Sequence, residues 1–473
     1  MLLKAMQGLE SYRTDMCRLS KDAIDAVFGS GRIYEVGGAV RDRYLFKTET
    51  DQDRDYLVTG ISYDDLTRIL NKFGRVDLVG RSFGVIKFTQ RLKGAPYTFD
   101  IALPRKEFST GAGHRDFSVI FDPDLSVEED LKRRDFTVNA LAVELDSGTL
   151  LDPLGGMADL EKRQLRIVYD ESFQDDPLRM LRAVQFAARF EFDIEAATLE
   201  ALRQHVDLIK TVSPERIAEE LNKLMKLAKA PSVGFKLMQS TGLLQHIIPE
   251  LEACVGVDQP GGYHAYDVFE HSMRIVDACP PGNLRLRMAA LFHDVNKPQA
   301  KRIVEHGATF YGHEAAGART ARYALKRLRY SNDFIDEVSL LVDRHMFTTD
   351  VSDKGVRRLI RKVGQDLIFD LLDLRRADVI AQGMGGTTED VDELEMRINQ
   401  QIAFKPPFGL SDLAVDGRRL MELLNIKPGP QVGRVLDHLM EKVLDDPENN
   451  TQEILETLAR EFYQNNTDEE SEV

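Results

Sequence analysis

IYEVGGAVRD (33–42) and, after a short polar stretch, DRDYLVTG (53–60) decide how this chain begins to fold. IYEVGG reads as a buried strand that ends in a glycine turn. Without Cβ atoms, Gly37 and Gly38 let backbone N–H groups approach a phosphate, and Arg41 follows as a fixed-charge fork suited to phosphate oxygens. DYLVTG reads as the next strand. Side chains at i and i+2 on a strand share a face, so Asp53 and Asp55 point the same way. Two adjacent carboxylates repel unless a cation lies between them, and Mg²⁺ is bound by such pairs together with phosphates and water. Asp51 and Asp53 form a second i, i+2 pair. The apolar run starting at Tyr56 places the strand pair at 53 and 55, although TETDQDRDY would also suit a solvated acidic loop.

Two further stretches extend this reading. In DLKRRDFTVNALAVEL (130–145), three basic residues precede Asp135 and an apolar run that contains Asn139. The run can be a helix end with solvated charges. It can also be a clamp, with Arg134 for phosphate and Asp135 and Asn139 for ribose hydroxyls. In DDPLRMLRAVQFAARF (175–190), Pro177 can open a helix and the acids before it suit an N-terminus. Asp176, Arg179 and Arg182 are spaced three apart on one face. That face offers one acceptor and two forks, which could pair with the edge of a base.

These segments, with DIALPRKEF (100–108) and in this order over roughly residues 33–230, resemble the class II tRNA nucleotidyltransferases and bacterial poly(A) polymerases. The resemblance implies a β-polymerase-like palm followed by a helical neck. It assigns Asp53 and Asp55 to Mg²⁺, offers Asp100 as a third carboxylate on a neighbouring strand, gives Gly38 and Arg41 to the incoming nucleotide and gives Arg134 to triphosphate or ribose. Asp176 and Arg179 become a protein template for C or A, with Arg182 nearby. Two departures stand out: Asp175-Asp176 replaces the usual Glu-Asp, and the loop before DRDY is slightly long.

With 473 residues, about three domains are expected. No apolar run is long enough to cross a membrane, and the N-terminus lacks a signal-peptide core. Three scattered cysteines argue for a reducing cytoplasm and against a disulfide or zinc framework. A net charge of −16 is unusual for an RNA binder. Part of it lies in TDEESEV (467–473), read as disordered. A local basic track could come from Lys132–Arg134, RRLIRK (357–362) and Arg375-Arg376, although RRLIRK equally suits a solvated helix face.

From residue 160 the apolar spacing turns helical. A second constellation lies in GGYHAYDVFEHSMRIV (261–276), LRLRMAALFHDVNKP (284–298), FYGHEAAGART (310–320), LLVDRHMF (340–347) and LLDLRRADVIAQG (371–383). The chain has only ten histidines, and several fall here beside acids. His271, His293, Asp294 and Asp378 can ligate one divalent ion, and His313 and His345 could extend the site to a second. Such a site would make hydroxide for phosphoester hydrolysis. The segment resembles an HD-superfamily metal phosphohydrolase, with Val295-Asn296-Lys297-Pro298 where Ile-Gly-Lys-Pro is usual. Asn296 is expected to tolerate a left-handed backbone there.

The expected architecture is α+β. A mixed-sheet palm spans 1–160 and an all-α neck 161–260. An HD domain follows over 261–385, then a helical tail over 386–473 with a disordered acidic end. The expected activity is Mg²⁺-dependent addition of CMP and AMP from CTP and ATP to the tRNA 3′ end, in the cytoplasm and without a membrane. The HD site, loaded with Ni²⁺, Mn²⁺ or a similar ion, would remove 3′ or 2′,3′-cyclic phosphates. The alternatives are poly(A) polymerase, CC-only or A-only addition, and a phosphohydrolase carrying an inactive transferase fold.

Overall fold

Alternation along the opening motif builds the first sheet. A computed structural model describes residues 19–46, 54–77, 84–92, 94–109, 117–260, 265–305, 307–404 and 408–469. It divides into two units, residues 1–247 and 248–473, a coarser division than the four parts expected above.

The first unit begins with α1 (Lys21–Phe28), β1 (Arg32–Val36), α2 (Gly38–Phe46), β2 (Asp55–Thr59) and α3 (Tyr63–Leu70). Next come β3 (Arg75–Asp77), β4 (Val85–Leu92), β5 (Ala95–Ala102), and a separate hairpin of β6 (Arg105–Ser109) and β7 (Phe117–Phe121). Then follow α4 (Val127–Lys132), β8 (Ala142–Glu144) and β9 (Leu150–Leu151). Seven of these strands form one sheet in the order β3-β4-β5-β2-β1-β8-β9. Only β2 and β5 pair in parallel, so the sheet is mixed.

Period-two alternation sorts its side chains. Ile33, Tyr56, Val58, Ile86, Phe88, Phe99 and Ile101 pack with Val27, Leu66 and Leu70 of the flanking helices. Val36, Leu57 and Ala142 pack instead with Val127 and Leu131 of α4. A capping box, in which Ser126 and Glu129 satisfy each other's backbone N–H groups, opens α4. One buried charge pair lies beside the sheet. Arg54, between the two aspartates of DRD, donates to Glu35 of β1 at 3.3 Å, and Glu35 also holds Arg43. Glu35 is 2% and Arg54 7% exposed.

Beyond the sheet come α5 (Gly156–Glu161), α6 (Ser172–Asp175), α7 (Leu178–Phe190), α8 (Pro214–Leu227) and α9 (Pro231–Thr241). Helix α7 buries ten of its thirteen residues, so it serves as the axis of this part. A Cβ on Gly234 of α9 would come within 2.7 Å of Leu224 and 3.3 Å of Val184, and glycine lets the three helices close up.

The second unit contains α10 (Val268–Ala278), α11 (Leu284–Phe292), α12 (His313–Arg327), α13 (Asn332–Arg344), α14 (Asp353–Val363), α15 (Ile368–Ala381) and α16 (Glu389–Ala403). It ends with α17 (Gly417–Leu424), α18 (Pro430–Asp445) and α19 (Gln452–Glu469), which share a core of Leu420, Leu439, Val443 and Leu455. Among the described residues no helix is long and apolar enough to cross a membrane.

Several expectations need correction. The part read as all-helical holds two strand pairs, β10 (Gln164–Leu165) with β11 (Asp193–Ile194), and β12 (Arg302–Val304) with β13 (Gly307–Thr309). Ile303 and Val304 are β-branched and favour the extended form. The acidic end is helical through Glu469, since α19 continues from its packed first turns; residues 470–473 lie outside the described residues. Asn296 has φ −99°, so the position needs no left-handed residue.

The basic track is also spent internally. Arg357 is buried and donates to the carbonyls of Leu444 and Asp445. Arg358 pairs with Glu441 and Asp445, and Arg361 with Asp437 and Glu441, all on α18. Arg375 meets Asp378, and Arg376 meets Asp373 and Asp392. An acidic chain supplies the counter-charges that a local reading cannot see.

Candidate functional site

In the first unit, Asp55 lies directly opposite Asp100 in the β2–β5 pair. Alternation puts both on the face of Leu57 and Ala102. Asp55 is exposed, and Asp100 is half-exposed with Lys87 Nζ 3.7 Å away. Asp53 lies outside the described residues. Oxygen-only donors at a rim suit a hard cation such as Mg²⁺, completed by phosphate and water.

The glycine turn ends at the same edge. Gly37 has φ +73°, which favours glycine, and a Cβ there would come 2.6 Å from Arg134 Nη1 and push that guanidinium aside. The turn and Arg134 are therefore neighbours, with Arg134 also 3.4 Å from buried Asp130. Gly38 starts α2.

The other clamp residues look inward. Arg41 is buried; its Nε donates to Asp42 at 2.7 Å, its Nη1 donates to Asn139, and its guanidinium lies 4.4 Å from the Phe190 ring centroid. Burial lowers its pKa, against the pull of Asp42. Asn139 donates to Asp135 at 2.9 Å. Asp135 accepts Arg182 Nη2 at 2.6 Å and Nε at 3.0 Å. Arg182 also reaches Glu220 of α8. Burial raises the Asp135 carboxyl, but Arg182 and Asn139 overrule it and hold it at about 2. Arg41, Asn139, Asp135, Arg182 and Glu220 thus form one polar chain from α2 to α8. Its members are bound to one another inside the fold, so Arg41, Asp135, Asn139 and Arg182, expected at phosphate, ribose and base, also hold each other. The reason is burial: inward ions need partners.

Asp176 and Arg179 remain at the surface of this network, both partly buried. Asp176 caps α7 by accepting the Leu178 N–H at 3.2 Å, and it accepts Arg216 at 2.8 Å. Arg179 Nη1 donates to Tyr169 Oη at 2.9 Å and Ser172 Oγ at 2.8 Å, and Nη2 donates to the Arg133 carbonyl at 2.9 Å. Tyr169, Ser172 and Arg216 were missed in the sequence, because nothing local marks a tyrosine or arginine as the support of a residue many positions away.

In the second unit the structure brings all six proposed ligands together. They fall into two groups, His271, His293 and Asp378, and Asp294, His313 and His345, with ligand atoms within 4.8 Å of one another in each. Asp294 faces both. Its Oδ2 is 3.0 Å from His293 Nε2, and its Oδ1 is 3.2 Å from His313 Nε2 and 3.9 Å from His345 Nε2. The sequence had grouped Asp294 with the first set alone.

Helix ends position the imidazoles. The Nδ1 atoms of His293, His313 and His345 lie 2.7–2.8 Å from carbonyls three residues earlier, of Ala290, Phe310 and Val342. A carbonyl only accepts, so Nδ1 carries the proton and Nε2 turns its lone pair inward. His293 Nε2 and Asp294 Oδ2 are both buried and face each other at 3.0 Å, with Lys297 Nζ 2.6 Å from the same oxygen. Imidazole nitrogens and carboxylate oxygens gathered this closely fit a divalent ion.

The electrostatics follow from the same contacts. Burial pushes the Asp294 carboxyl up, but His293 and Lys297 hold it well below the usual carboxylate range. Burial raises Asp378 too, and the hydrogen bond from His271 overrules it downward. Burial lowers His293 and the Asp294 carboxylate more than compensates, so it ends raised; burial and the neighbouring His293 press His345 down to about 3. Lys297, which the sequence reading left without a role, donates to Gln259 at 2.6 Å and stands 2.6 Å from Asp294 Oδ2. The cluster opens into a cavity of about 480 Å³ lined also by Phe310, Tyr311, Met346, Arg375 and Gln382. Cys254 and Cys279 are buried free thiols, each pushed up by burial to about 12, and take no part.

The chain matches three family profiles: "Poly A polymerase head domain" over 33–166, "Probable RNA and SrmB- binding site of polymerase A" over 191–255, and domain 2 of tRNA nucleotidyltransferase over 313–459. It is 34% identical to the A-adding tRNA nucleotidyltransferase of Deinococcus radiodurans over 367 residues, covering 74% of this chain and 82% of that protein. With the multifunctional CCA protein of Aromatoleum aromaticum it shares 39% identity over 321 residues, 66% of this chain and 74% of the other. The crystal structure of the Bacillus stearothermophilus CCA-adding enzyme in complex with CTP aligns with a TM-score of 0.69 and 25% identity, covering 95% of this chain and 97% of that one.

Proposed function

This chain belongs to the tRNA nucleotidyltransferase family, and from that premise we propose that it adds CMP and AMP, from CTP and ATP, to the 3′ end of tRNA. The observation that carries the reading is the direct pairing of Asp55 with Asp100 on one face of the sheet, beside the Gly37 turn and Arg134. Bound by these carboxylates and Asp53, Mg²⁺ would neutralise the charge that builds on the reacting phosphates.

The chain's own residues supply position. The Gly37-Gly38 turn admits the triphosphate close to the backbone, and Arg134 meets its oxygens. Asp176 accepts a hydrogen bond and Arg179 donates. Cytosine and adenine both present an amino group beside a ring-nitrogen acceptor on their pairing edge, whereas uracil and guanine present the reverse. One acceptor and one fork therefore favour C and A. We place the reaction in the cytoplasm, where tRNA and nucleoside triphosphates meet.

One experiment tests this reading against its neighbours. Purified enzyme is given tRNA ending before CCA, tRNA ending before the final A, or unrelated RNA, each with one labelled nucleotide. Ordered C, C, A addition supports the proposal. Growth only on the tRNA lacking the final A would make it an A-adding enzyme like the Deinococcus relative, and long A tails on unrelated RNA would make it a poly(A) polymerase.

A second reading applies to the other unit, favoured by four imidazoles and two carboxylates gathered into two close groups. We read it as an HD-type phosphohydrolase that clears 3′ or 2′,3′-cyclic phosphates. A divalent ion held there would supply electrophilic assistance to ester cleavage. Lys297 and Arg375 at the cavity offer positive charge to a phosphate. Phosphate release from 3′-phosphorylated and 2′,3′-cyclic oligonucleotides with Ni²⁺, Mn²⁺ or Mg²⁺ tests it. No release with any of the three refutes it.

A further inference from the structure

Tyr169 has no role in the reading above, yet its hydroxyl stands between two residues of the template motif. It donates to Asp175 Oδ2 at 2.8 Å and accepts from Arg179 Nη1 at 2.9 Å. The ring lies 5.7 Å from the guanidinium carbon. Burial raises the phenol to about 12, with Arg179 pulling the other way, so the oxygen keeps its proton at neutral pH. It can therefore donate on one side and accept on the other.

The remaining contacts fix the plane of the guanidinium. Ser172 Oγ takes Nη1 at 2.8 Å, and the Arg133 carbonyl takes Nη2 at 2.9 Å. A guanidinium has five N–H groups. Tyr169 and Ser172 engage Nη1 and Arg133 engages Nη2, which leaves Nε–H and one Nη2–H without a partner among the described residues. Had a carboxylate gripped Arg179 directly, a fork-on-fork pair would have consumed two parallel donors and cancelled the charge. The phenol uses one donor, carries no charge, and passes the Asp175 anchor on at one remove.

We propose that Tyr169 is a positioning residue for base selection: it ties Arg179 to Asp175 and holds the guanidinium so that its unused donors face the base. The proposal rests on Arg179 being a base reader. A guanidinium without this rear support can swing and offer its donors to the carbonyl oxygens of uracil and guanine, so the fault appears in discrimination more than in rate.

The test compares kcat/KM for CTP and ATP with that for UTP and GTP on defined tRNA acceptors. Three variants are needed: Tyr169→Phe, which keeps the ring and removes only the oxygen; Asp175→Asn, which keeps the shape and removes the charge; and Arg179→Ala. Expected is a loss of discrimination of about tenfold in Tyr169→Phe, the scale of one hydrogen bond. A smaller loss in the same direction is expected in Asp175→Asn, and the largest in Arg179→Ala. If Arg179→Ala loses discrimination while Tyr169→Phe and Asp175→Asn keep it, Tyr169 has no positioning role and the base-reader reading stands. If Arg179→Ala itself keeps discrimination, the base-reader reading fails and the proposal with it. A Tyr169→Phe enzyme that keeps its discrimination while turning over all four nucleotides more slowly by one common factor has lost only a structural contact, and that outcome also overturns the proposal.

Discussion

The two candidate metal centres of this molecule are built on opposite plans. In the first unit the donors are oxygen only, set side by side by the register of two central strands, exposed to solvent, and incomplete without substrate phosphate and water. In the second, six buried side chains from five helices or their ends converge, and three histidines are locked in one tautomer by backbone carbonyls. An open oxygen rim suits an ion that arrives with its nucleotide. A buried imidazole cluster suits an ion that stays with the protein. Donor type and burial separate the two roles before any substrate is considered.

The sharpest way to break this contrast is at the rim. Asp55→Asn or Asp100→Asn should lower nucleotide addition by about 10²-fold or more, because charge on the metal ligands is worth several kcal/mol in transfer. Hydrolysis of a 3′-phosphate should be untouched. Near-normal addition by Asp55→Asn would remove the rim from catalysis, and a dead Asp51→Asn would move the register. The next effect is retention. After loading with Mn²⁺ or Ni²⁺ and gel filtration, the wild-type protein should carry metal by elemental analysis, and the double variant His293→Ala, Asp294→Ala should carry almost none. Equal metal in both would place the bound ion elsewhere.

A smaller effect concerns the polar chain beside the rim. Asp135 titrates at about 2 in the fold against 3.8 ordinarily. Its folded-state pKa is lowered, so its stabilisation is fully present above pH 4 and is lost as pH falls from about 4 to 2. The shift corresponds to roughly 2 kcal/mol. Asp135→Asn should cost stability at pH 7 and flatten the acid limb of a denaturation profile; an unchanged limb would show that Arg182 does not hold the carboxylate. The smallest effect is expected from Arg361→Ala on α14. Its pairs with Asp437 and Glu441 are surface contacts worth at most about 1 kcal/mol, and tRNA affinity should hardly change. A clear drop in affinity with a lower salt slope would restore the basic track that the ion pairs argue against.

Much of this was legible because the chemistry is local. The glycine pair and the acid-Pro-Arg spacing each span only a few consecutive residues, and the histidines are rare enough to mark their own neighbourhood. The pairing of Asp55 with Asp100 required a parallel register that no local pattern carries. The same holds for Asp135 with Arg182, 47 residues apart, and for Arg358 and Arg361 with the acids of α18. Residue type alone cannot say which protein partners an arginine takes, and Arg41 binds Asn139 while Arg182 binds Asp135 and Glu220. Tyr169 and Lys297 escaped notice because their importance lies in what they touch.

The buried pair of Glu35 and Arg54 gives the opening motif a proofreading function in folding. A strand that slips by one residue against its neighbour turns every side chain to the opposite face. Such a slip in β2 would drive Asp55 into the apolar layer of Tyr56 and Val58, swing Arg54 out, and leave Glu35 buried as an anion without that partner. Losing one of the two arginines that compensate a buried carboxylate is costly, because the remaining charge must be held by Arg43 alone. The arginine in the middle of DRD thus penalises the misregistered sheet in which the carboxylates would point the wrong way.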